Sequence, residues 1–313
     1  MVADVGGTNT RLALFDPSKN EFRHTQNYTN RDFESFAAVI AAWRNSLPEA
    51  FPRQACLAVA ALPQGDMISM FNMSWSFSMQ ETARQFGFKK VRWMNDFAAN
   101  ACSLPHLASD EVELLYGKHS GSVVDRKLAV IGPGTGLGGA TMGSERTIAD
   151  CCACEPGHMS LSPSNSIEIE IFKLLLQQHS HIYAELLLSG PGLLRLYQTL
   201  AIISDSAATA IGPAQVTEGA LTQSDPLAVR ALNIFCALLG STAGDFVLAN
   251  GAYGGIYLAG GIVPRILALL KVSDFYQRFC DKGGMSTQMT SIPVFAILHP
   301  HPGLLGAARV TLS

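Results

Sequence analysis

Apolar and polar residues alternate along the chain in two different periods, and this pattern predicts a mixed α/β fold. Residues 11–15 alternate with the period of a strand, and Asp16-Pro17-Ser18-Lys19-Asn20 predicts the turn of a hairpin. In residues 32–46 the apolar side chains recur every three or four positions, which predicts a helix with one buried face. The pattern then predicts, in order, a strand at 55–61, a helix at 78–86 opened by a capping box, a strand at 91–94 and a helix at 97–103.

The second half of the chain repeats the order of strand, glycine turn and strand. A strand predicted at 128–131 leads into glycines, and residues 139–143 predict the second strand of a hairpin. Long helices predicted at 167–178 and 225–248, a strand at 256–259 and a short helix after Pro302-Gly303 complete this half. No stretch has the composition of a linker, so we expect the domain boundary at a hinge near Pro105.

Composition narrows the classes of partner. At 313 residues the chain is long enough for about two domains, and 48% hydrophobic residues with 15% charged ones are typical of a globular protein. The net charge of -3 offers no basic field for nucleic acid or anionic lipid, so we expect neither partner. Glycine, proline and charged residues interrupt the apolar stretches, and no export signal precedes Asp4, so we expect no membrane span and no export. Seven cysteines, an odd number, favour the reducing cytoplasm.

Two glycine turns carry the first candidate chemistry. In Asp4-Val5-Gly6-Gly7-Thr8-Asn9-Thr10 the adjacent glycines let backbone amides approach an anion, and Thr8 and Asn9 add short donors. Asp4 lies at the mouth of this turn, where a carboxylate can hold Mg²⁺ directly or through water. Gly132-Pro133-Gly134-Thr135-Gly136 repeats the arrangement after the strand at 128–131. Two such turns predict a duplicated nucleotide-binding unit.

Other interpretations of these glycines are open at this point. Gly134-Thr135-Gly136-Leu137-Gly138-Gly139 has the spacing of a dinucleotide fingerprint, but such a fingerprint must open a helix, and the following residues predict a strand. A P-loop is disfavoured because no Lys-Ser or Lys-Thr follows the glycines. Either cluster taken alone is also compatible with a purely structural turn.

Three acids and a histidine are candidates for chemistry on a sugar. Asp96, with Asn95, follows an apolar strand at the start of a helix, where it is a candidate base or, alternatively, a helix N-cap. Glu155, His158 and Glu185 supply charged groups that suit sugar hydroxyls; each alone is more often a surface or satisfied core residue, and only their combination favours a site. Cys151, Cys152 and Cys154 with His158 form one possible zinc cluster, which lacks the second ligand pair of a structural site, and thiols without metal are the simpler interpretation.

The assembled motifs resemble the bacterial glucokinase family, within the sugar kinase and actin-like ATPase superfamily, over essentially the whole chain. The resemblance rests on motifs in family order: Asp4 to Asn9, Asn95-Asp96-Phe97, Gly132 to Gly139, Glu155-x-Gly157-His158, Leu188 to Leu193, Ala259 to Arg265 and Pro302 to Gly306. It implies two ribonuclease H-like α/β domains, with mixed sheets flanked by helices and the active site in the interdomain cleft. The smaller domain would take residues 1–106 plus 299–313, and the larger one residues 107–298.

The resemblance also implies the role of each site residue. Asp96 would be the general base for the 6-hydroxyl of glucose, and the other hydroxyls would bind Asn95, Glu155, His158 and Glu185. The ATP phosphates would bind two groups of residues, Gly6, Gly7, Thr8 and Asn9 in the first turn and Gly134, Thr135 and Gly136 in the second. Asp4 would assist Mg²⁺, Gly260 and Gly261 would pack against the adenosine, and the protein would be a homodimer.

One departure from the family pattern bears on specificity. Pro156 stands where the family usually has glycine, and proline fixes φ near -65°, so we expect a different course of the loop that orients Glu155 and His158. We expect an effect on sugar choice rather than on phosphoryl transfer. The alternatives are therefore a kinase for another hexose and a sugar-independent actin-like ATPase that acts as a nucleotide switch.

Overall fold

The structure, a computed structural model, describes residues 1–61, 65–70, 73–117 and 126–310. The chain folds into two compact units. Residues 1–108, 145–153 and 299–313 form the first, and residues 109–144 and 154–298 form the second. The first unit thus includes residues 145–153, which the division made from sequence assigns to the larger domain. Each unit contains a sheet with helices packed against it, as the α/β prediction requires.

The first unit is built on a five-stranded sheet in the order β3-β2-β1-β4-β7. β1 is antiparallel to β2 and parallel to β4, which is parallel to β7. The strands and helices are β1 Val2–Val5, β2 Asn9–Asp16, β3 Glu21–Thr29, α1 Phe36–Ser46, β4 Gln54–Val59, β5 Met67–Ser69, β6 Ser76–Ser78, α2 Met79–Phe86, β7 Lys90–Asn95, α3 Asp96–Ser103 and α12 Pro302–Ala308.

Strand alternation places two different helix layers against this sheet. Ala3, Leu12 and Leu57 are buried on the side that α1 covers with Phe36 and Trp43. Their neighbours in the strands point to the opposite side, where α3 and α12 pack. That second cluster consists of Val2, Ala13, Cys56, Ala58, Ala99, Leu304 and Ala307. Burial of both faces fixes the strand register, because a slip by one residue would exchange the two sets.

Helix α1 is shorter than the periodicity predicts. Residues 30–32 form a 3₁₀ turn, and the helix begins at Phe36. The side chain of Ser35 accepts a hydrogen bond from the backbone N–H of Ala38 at 3.2 Å and so caps the helix. The predicted cap at Ser78 is confirmed, since its hydroxyl accepts from the N–H of Glu81 at 3.0 Å.

The second unit repeats the strand order of the first. The six-stranded sheet runs β11-β10-β9-β12-β13-β8, with β9 antiparallel to β10 and parallel to β12, which is parallel to β13. Residues 151–153 of its edge strand β11 belong to the first unit. β9, β10, β12 and β13 therefore correspond to β1, β2, β4 and β7, which confirms the predicted duplication. The strands are β8 Val112–Tyr116, β9 Leu128–Pro133, β10 Leu137–Met142, β11 Cys151–Cys154, β12 Gly255–Leu258 and β13 Val294–Ile297.

Eight helices complete the described part of the second unit, and the longest lies at its centre. They are α4 Ser166–Leu175, α5 Ala184–Leu187, α6 Gly190–Ile203, α7 Pro213–Leu221, α8 Pro226–Asn250, α9 Val263–Leu270, α10 Phe275–Cys280 and α11 Ser286–Met289. In the described residues α8 alone has the length and apolarity of a membrane span. Its most apolar window is 78% buried inside the protein, as in the core helix of a globular domain.

Candidate active site

The first glycine turn lies at the carboxyl end of β1. Val5 pairs with Thr10 across the hairpin, and the backbone N–H of Gly6 donates to the carbonyl of Asn9 at 3.0 Å. Gly7 and Thr8 form the tip between the strands. The predicted strand, glycine turn and strand are therefore present, with Asp4 one residue before the last position of β1.

A buried amide outside the motif holds this turn. Asn30 is 2% exposed, and its Nδ2 donates to the carbonyl of Gly6 at 2.8 Å. Its Oδ1 accepts from the hydroxyl of Thr10 at 2.8 Å, and its backbone N–H donates to the carbonyl of Thr8 at 2.9 Å. Sequence reasoning missed Asn30, and the only available signal was a polar residue between the end of β3 and an apolar helix.

Asp4 is paired with the residue directly opposite it in the hairpin. Asp4 and Arg11 are register partners, and Nη1 of Arg11 lies 3.3 Å from Oδ2 of Asp4. Burial raises the pKa of Asp4, and the charge and hydrogen bond of Arg11 lower it. Across from the carboxylate stands Gly303, where a Cβ would come within 3.1 Å of the Asp4 Cγ atom.

This donor set fits Mg²⁺. Oδ1 of Asp4 has no hydrogen-bond partner within the described residues, whereas Oδ2 is held by Arg11. Mg²⁺ usually binds one or two carboxylates together with phosphate oxygens and water rather than a cage of protein ligands. A single, partly buried carboxylate beside a glycine turn is compatible with that requirement.

Asp96 is the first residue of α3, and Asn95 is its N-cap. Oδ1 of Asn95 accepts from the backbone N–H groups of Phe97 at 2.9 Å and Ala98 at 3.1 Å. Nδ2 of Asn95 donates to the carbonyl of Ala61 at 3.2 Å, which leaves one of its two N–H bonds for another acceptor. The carboxylate of Asp96 accepts from the N–H of Phe97 at 2.9 Å. The capping role thus belongs to Asn95, and Asp96 occupies the first position of the helix.

The sheet brings Asp96 and the first turn to one edge. Val5, Val59 and Asn95 are register partners at the carboxyl ends of β1, β4 and β7. Strands in a sheet lie about 4.8 Å apart, so the turn and the start of α3 are about two strand spacings apart. The edge carries the Asp4 turn and Asp96, as the rule for the carboxyl ends of parallel strands predicts.

The second glycine turn connects β9 to β10 in an antiparallel hairpin, with Pro133 opposite Leu137. The backbone N–H of Gly134 donates to the carbonyl of Gly136 at 2.7 Å, and the carbonyl of Gly134 accepts from the N–H of Gly190 at 2.8 Å. A strand rather than a helix follows the glycines, which excludes the dinucleotide fingerprint.

Glu185 lies directly against the second turn. Its Oε2 accepts from the backbone N–H of Leu137 at 2.8 Å. A Cβ at Gly136 would overlap the Glu185 carboxylate, so only glycine leaves room for this contact. The second turn and a predicted sugar-binding carboxylate therefore form one hydrogen-bonded unit.

Glu155 and His158 belong to the same cluster of charged groups. Burial raises the pKa of Glu155, the charge of His158 lowers it, and the charge of Glu185 raises it. Pro156 begins a single 3₁₀ turn, Pro156–His158, and it packs against Gly139 of β10. Proline is favoured at the first position of a helical turn, so the loop accommodates the residue that departs from the family pattern.

Gly260 and Gly261 differ in their surroundings. Gly260 has a φ of +87°, and a Cβ there would overlap the carbonyl oxygen of Pro133. The first glycine is thus required by backbone conformation and by the close approach of β9. A Cβ at Gly261 would meet nothing within 4 Å, so the backbone there borders open space.

The cysteines form no metal centre in the described residues. No group of three or more His, Cys, Asp or Glu residues in that part of the chain has the arrangement of a metal site. Instead, Cys151 contacts Cys102 of α3, with the two Sγ atoms 2.7 Å apart.

Two sheets of matching strand order, each with a glycine turn after its first strand, define the class of sugar kinases of the actin-like ATPase type. A glucokinase from an Antarctic psychrotroph matches with a TM-score of 0.81 and 35% identity, covering 98% of this chain and 96% of that chain. A ROK family glucokinase from Streptomyces griseus, solved in complex with glucose and AMPPNP, shares the fold with a TM-score of 0.68 and 19% identity over 98% and 96% of the two chains.

Sequence comparison identifies the family. The family model described as Glucokinase matches residues 1–313, and the chain belongs to the glucokinase family. The glucokinase of Tolumonas auensis is 38% identical over 307 residues, which are 98% of this chain and 95% of that protein. The resemblance inferred from the motifs is thereby confirmed.

Proposed function

We propose that this protein transfers the γ-phosphoryl group of ATP to the 6-hydroxyl of glucose, with Asp96 as the general base. The observation that supports the proposal is the hydrogen bond between Glu185 and the N–H of Leu137, because it joins the second glycine turn to the carboxylate that we assign to the sugar. A nucleotide switch without a sugar substrate has no need for that link.

Different residues are assigned to the binding of Mg-ATP and to the binding of the sugar. The proposal assigns the ATP phosphates to Gly6, Gly7, Thr8 and Asn9 in the first turn and to Gly134, Thr135 and Gly136 in the second. Asp4 would hold Mg²⁺, which supplies neutralising charge at the phosphates. Gly260 and Gly261 are assigned to the adenosine, with Gly261 as the position open to contact. Phosphoryl transfer depends mainly on positioning and charge stabilisation, which these residues are suited to supply.

The sugar is assigned to Asn95, Asp96, Glu155, His158 and Glu185. Asp96 accepts the proton of the attacking hydroxyl, and a positioned base typically contributes about 10² to 10⁴ to the rate. The remaining N–H of Asn95 suits a hydroxyl oxygen, whereas the carboxylates of Glu155 and Glu185 accept from hydroxyl protons. A hydroxyl missing from the sugar would leave a buried charged group without a partner, which favours one hexose over its epimers.

The relatives named glucokinase support glucose over another hexose, and the Pro156 turn is compatible with that choice. The proline occupies the first position of its 3₁₀ turn, and the N–H of His158 donates to the carbonyl of Glu155 at 3.1 Å. The local geometry thus keeps Glu155 and His158 joined. We further propose a cytoplasmic homodimer, a state that sedimentation of the purified protein tests.

The decisive experiment measures ADP release from Mg-ATP with and without added hexose. We expect release to depend on hexose and glucose to give the highest kcat/KM in a panel with mannose, fructose and N-acetylglucosamine. The phosphorylated product, identified by mass spectrometry and NMR, should carry phosphate on O6. Equal ADP release without sugar would identify a nucleotide switch, and a preference for another member of the panel would correct the substrate.

A further inference from the structure

The pair of cysteines Cys102 and Cys151 belongs to no part of the proposed reaction. Cys102 is in α3 and is 3% exposed, and Cys151 is the half-buried first residue of β11. The two residues are 49 positions apart in sequence, yet their Sγ atoms lie 2.7 Å apart, with no room for another group. Both belong to the first compact unit.

Each cysteine is close in sequence to a residue of the proposed site. Asp96 begins the same helix as Cys102, and Glu155 follows directly after the strand that Cys151 begins. The segment that contains Cys151, residues 145–153, belongs to the first unit, while residues 144 and 154 on either side belong to the second. A covalent bond at Cys151 therefore restrains the chain close to the two points, 144–145 and 153–154, where it changes unit.

We propose that Cys102 and Cys151 are a modification site that forms an intramolecular disulfide and that this disulfide slows turnover. The inference about turnover rests on the proposed function, because it acts through Asp96 and Glu155. Formation of the disulfide itself does not depend on that function.

The reaction is an exchange with a low-molecular-weight disulfide, such as oxidised glutathione. One cysteine thiolate attacks a sulfur of the small disulfide and releases one small thiol. The second cysteine thiolate attacks the mixed disulfide, forms the Cys102–Cys151 bond and releases the second small thiol. The two cysteine sulfurs lose two electrons in total, the small disulfide gains them, and two protons pass from the protein thiols to the released thiols.

The surroundings make this exchange slow at neutral pH. The contact with the Cys102 thiol, together with burial and the charge of Asp150, raises the pKa of Cys151. Since the thiolate is the reactive form, a raised pKa lowers the rate of attack. We therefore expect the pair to form its disulfide only under sustained oxidation, as transient disulfides do in reducing compartments.

The effect on turnover follows from mobility. Many enzymes complete their site around the substrate by movements of loops or domains, and such steps often limit kcat. A disulfide ties the strand before Glu155 to the helix that begins at Asp96, so these two parts lose freedom to adjust when substrate binds. We expect oxidation to lower kcat by about fivefold or more, the lower end of typical coupling between sites.

The test is made on the full chain with oxidised and reduced glutathione. Thiols that survive oxidation are alkylated, and peptides are mapped by mass spectrometry before and after treatment with dithiothreitol. Cys151→Ser removes one partner, Cys102→Ala removes the other without a buried hydroxyl, and Cys152→Ser is the matched control at the neighbouring exposed cysteine. Hexose-dependent ADP release is measured on the same samples.

We expect a Cys102–Cys151 cross-linked peptide and a reversible fall in kcat for the unmodified chain and for Cys152→Ser, and neither effect for the two pair variants. Complete alkylation of both cysteines, or cross-links to other cysteines, would overturn the modification site. A mapped disulfide with unchanged kcat would overturn its control of turnover. A mapped disulfide in a protein that phosphorylates no hexose in either state would overturn the proposed function while the disulfide stands.

Discussion

The carboxylate of Glu185 accepts a 2.8 Å hydrogen bond from the backbone N–H of Leu137, so a single side chain serves both the second glycine turn and the proposed sugar site. Glu185→Ala removes the acceptor and should raise the KM for ATP as well as for glucose. A hydrogen bond to a charged group contributes about 1.5 to 3 kcal/mol, which corresponds to a loss of about 10- to 150-fold in kcat/KM.

Initial rates with each substrate varied in turn measure this effect. Glu185→Gln keeps a carbonyl oxygen for Leu137 and should change the KM for ATP less than Glu185→Ala does. Glu170, an exposed glutamate of α4, provides the control Glu170→Ala, for which both constants should stay unchanged. A Glu185→Ala enzyme with a normal KM for ATP would show that the link to the turn has no role in nucleotide binding.

Replacement of Asp96 by Asn should remove the base and leave the helix intact. The asparagine retains an oxygen that accepts from the N–H of Phe97, so the start of α3 keeps its geometry. We expect kcat to fall by about 10² to 10⁴ while glucose still binds. Stopped assays give kcat, and titration calorimetry gives glucose affinity.

Asp225→Asn is the matched control for that experiment. Asp225 is the N-cap of α8, and its Oδ1 accepts from the N–H of Leu227 at 2.9 Å. This variant should lose stability without a comparable fall in kcat. If Asp96→Asn and Asp225→Asn had equal kcat, Asp96 would not be the base.

The raised pKa of Glu155 predicts that the KM for glucose rises at acidic pH, and we call this rise the acid limb of the pH profile. Burial moves the pKa of this carboxyl above its ordinary value of 4.5, and the KM for glucose should fall as pH rises through that raised pKa, because the ionised form accepts the hydroxyl. The same ionisation acts on stability in the opposite sense: it favours glucose binding but lowers the unfolding free energy as pH rises. Between 4.5 and the raised pKa the folded protein holds a proton that the unfolded chain has released, so the unfolding free energy contributed by this group falls as pH rises.

Two variants should move this limb in opposite directions. His158→Gln removes a charge that lowers the pKa of Glu155 and should shift the limb to higher pH, whereas Glu185→Gln removes a charge that raises it and should shift the limb to lower pH. His181→Gln, at an exposed histidine of the same unit, should leave the limb in place. Profiles of glucose KM against pH give the result, and parallel shifts in the two variants would contradict the assigned causes.

A buried ion pair in the second unit should govern stability without touching the reaction. Nη1 of Arg278 lies 2.6 Å from Oε1 of Glu168, which is 1% exposed, and Nε of Arg278 donates to the hydroxyl of Ser241 at 2.9 Å. Arg278→Met leaves the carboxylate buried and unpaired and should cost about 3 to 5 kcal/mol of unfolding free energy.

Urea unfolding of Arg278→Met and of a surface variant separates this effect from charge loss in general. Lys271 pairs with Glu113 at the surface, and Lys271→Met should cost less than about 1 kcal/mol. Under conditions where each variant stays folded, kcat should equal that of the parent chain. Equal losses of unfolding free energy in the two variants would show that the buried pair stabilises the fold no more than the surface pair does.

Local patterns in the sequence predicted the local structure well. The hairpin around Gly6 and Gly7, the strand after Gly136 and the helix after Asn95 each follow from periodicity and turn chemistry over about ten residues. The start of α1 was wrong because apolar spacing does not distinguish a 3₁₀ turn before Ser35 from the first turn of a helix.

Local patterns could not predict contacts between residues that are far apart in sequence. Asn30 reaches Gly6 across 24 positions, and Cys102 meets Cys151 across 49 positions. Which polar groups meet depends on how helices and strands pack, and a single sequence carries no periodic signal for such pairs. The carboxylate of Glu185 was predicted for sugar, but its contact with Leu137 became visible only in the folded chain.

Because of Asn30, the first glycine turn is formed by two separate stretches of chain and not by the seven residues 4–10 alone. Residues 4–10 grafted onto a different hairpin would carry every glycine but would lose the amide and the N–H that bind the carbonyl oxygens of Gly6 and Thr8. Those oxygens would be free to rotate towards an anion and repel it. A minimal transplant of this turn therefore extends from the first strand through Asn30.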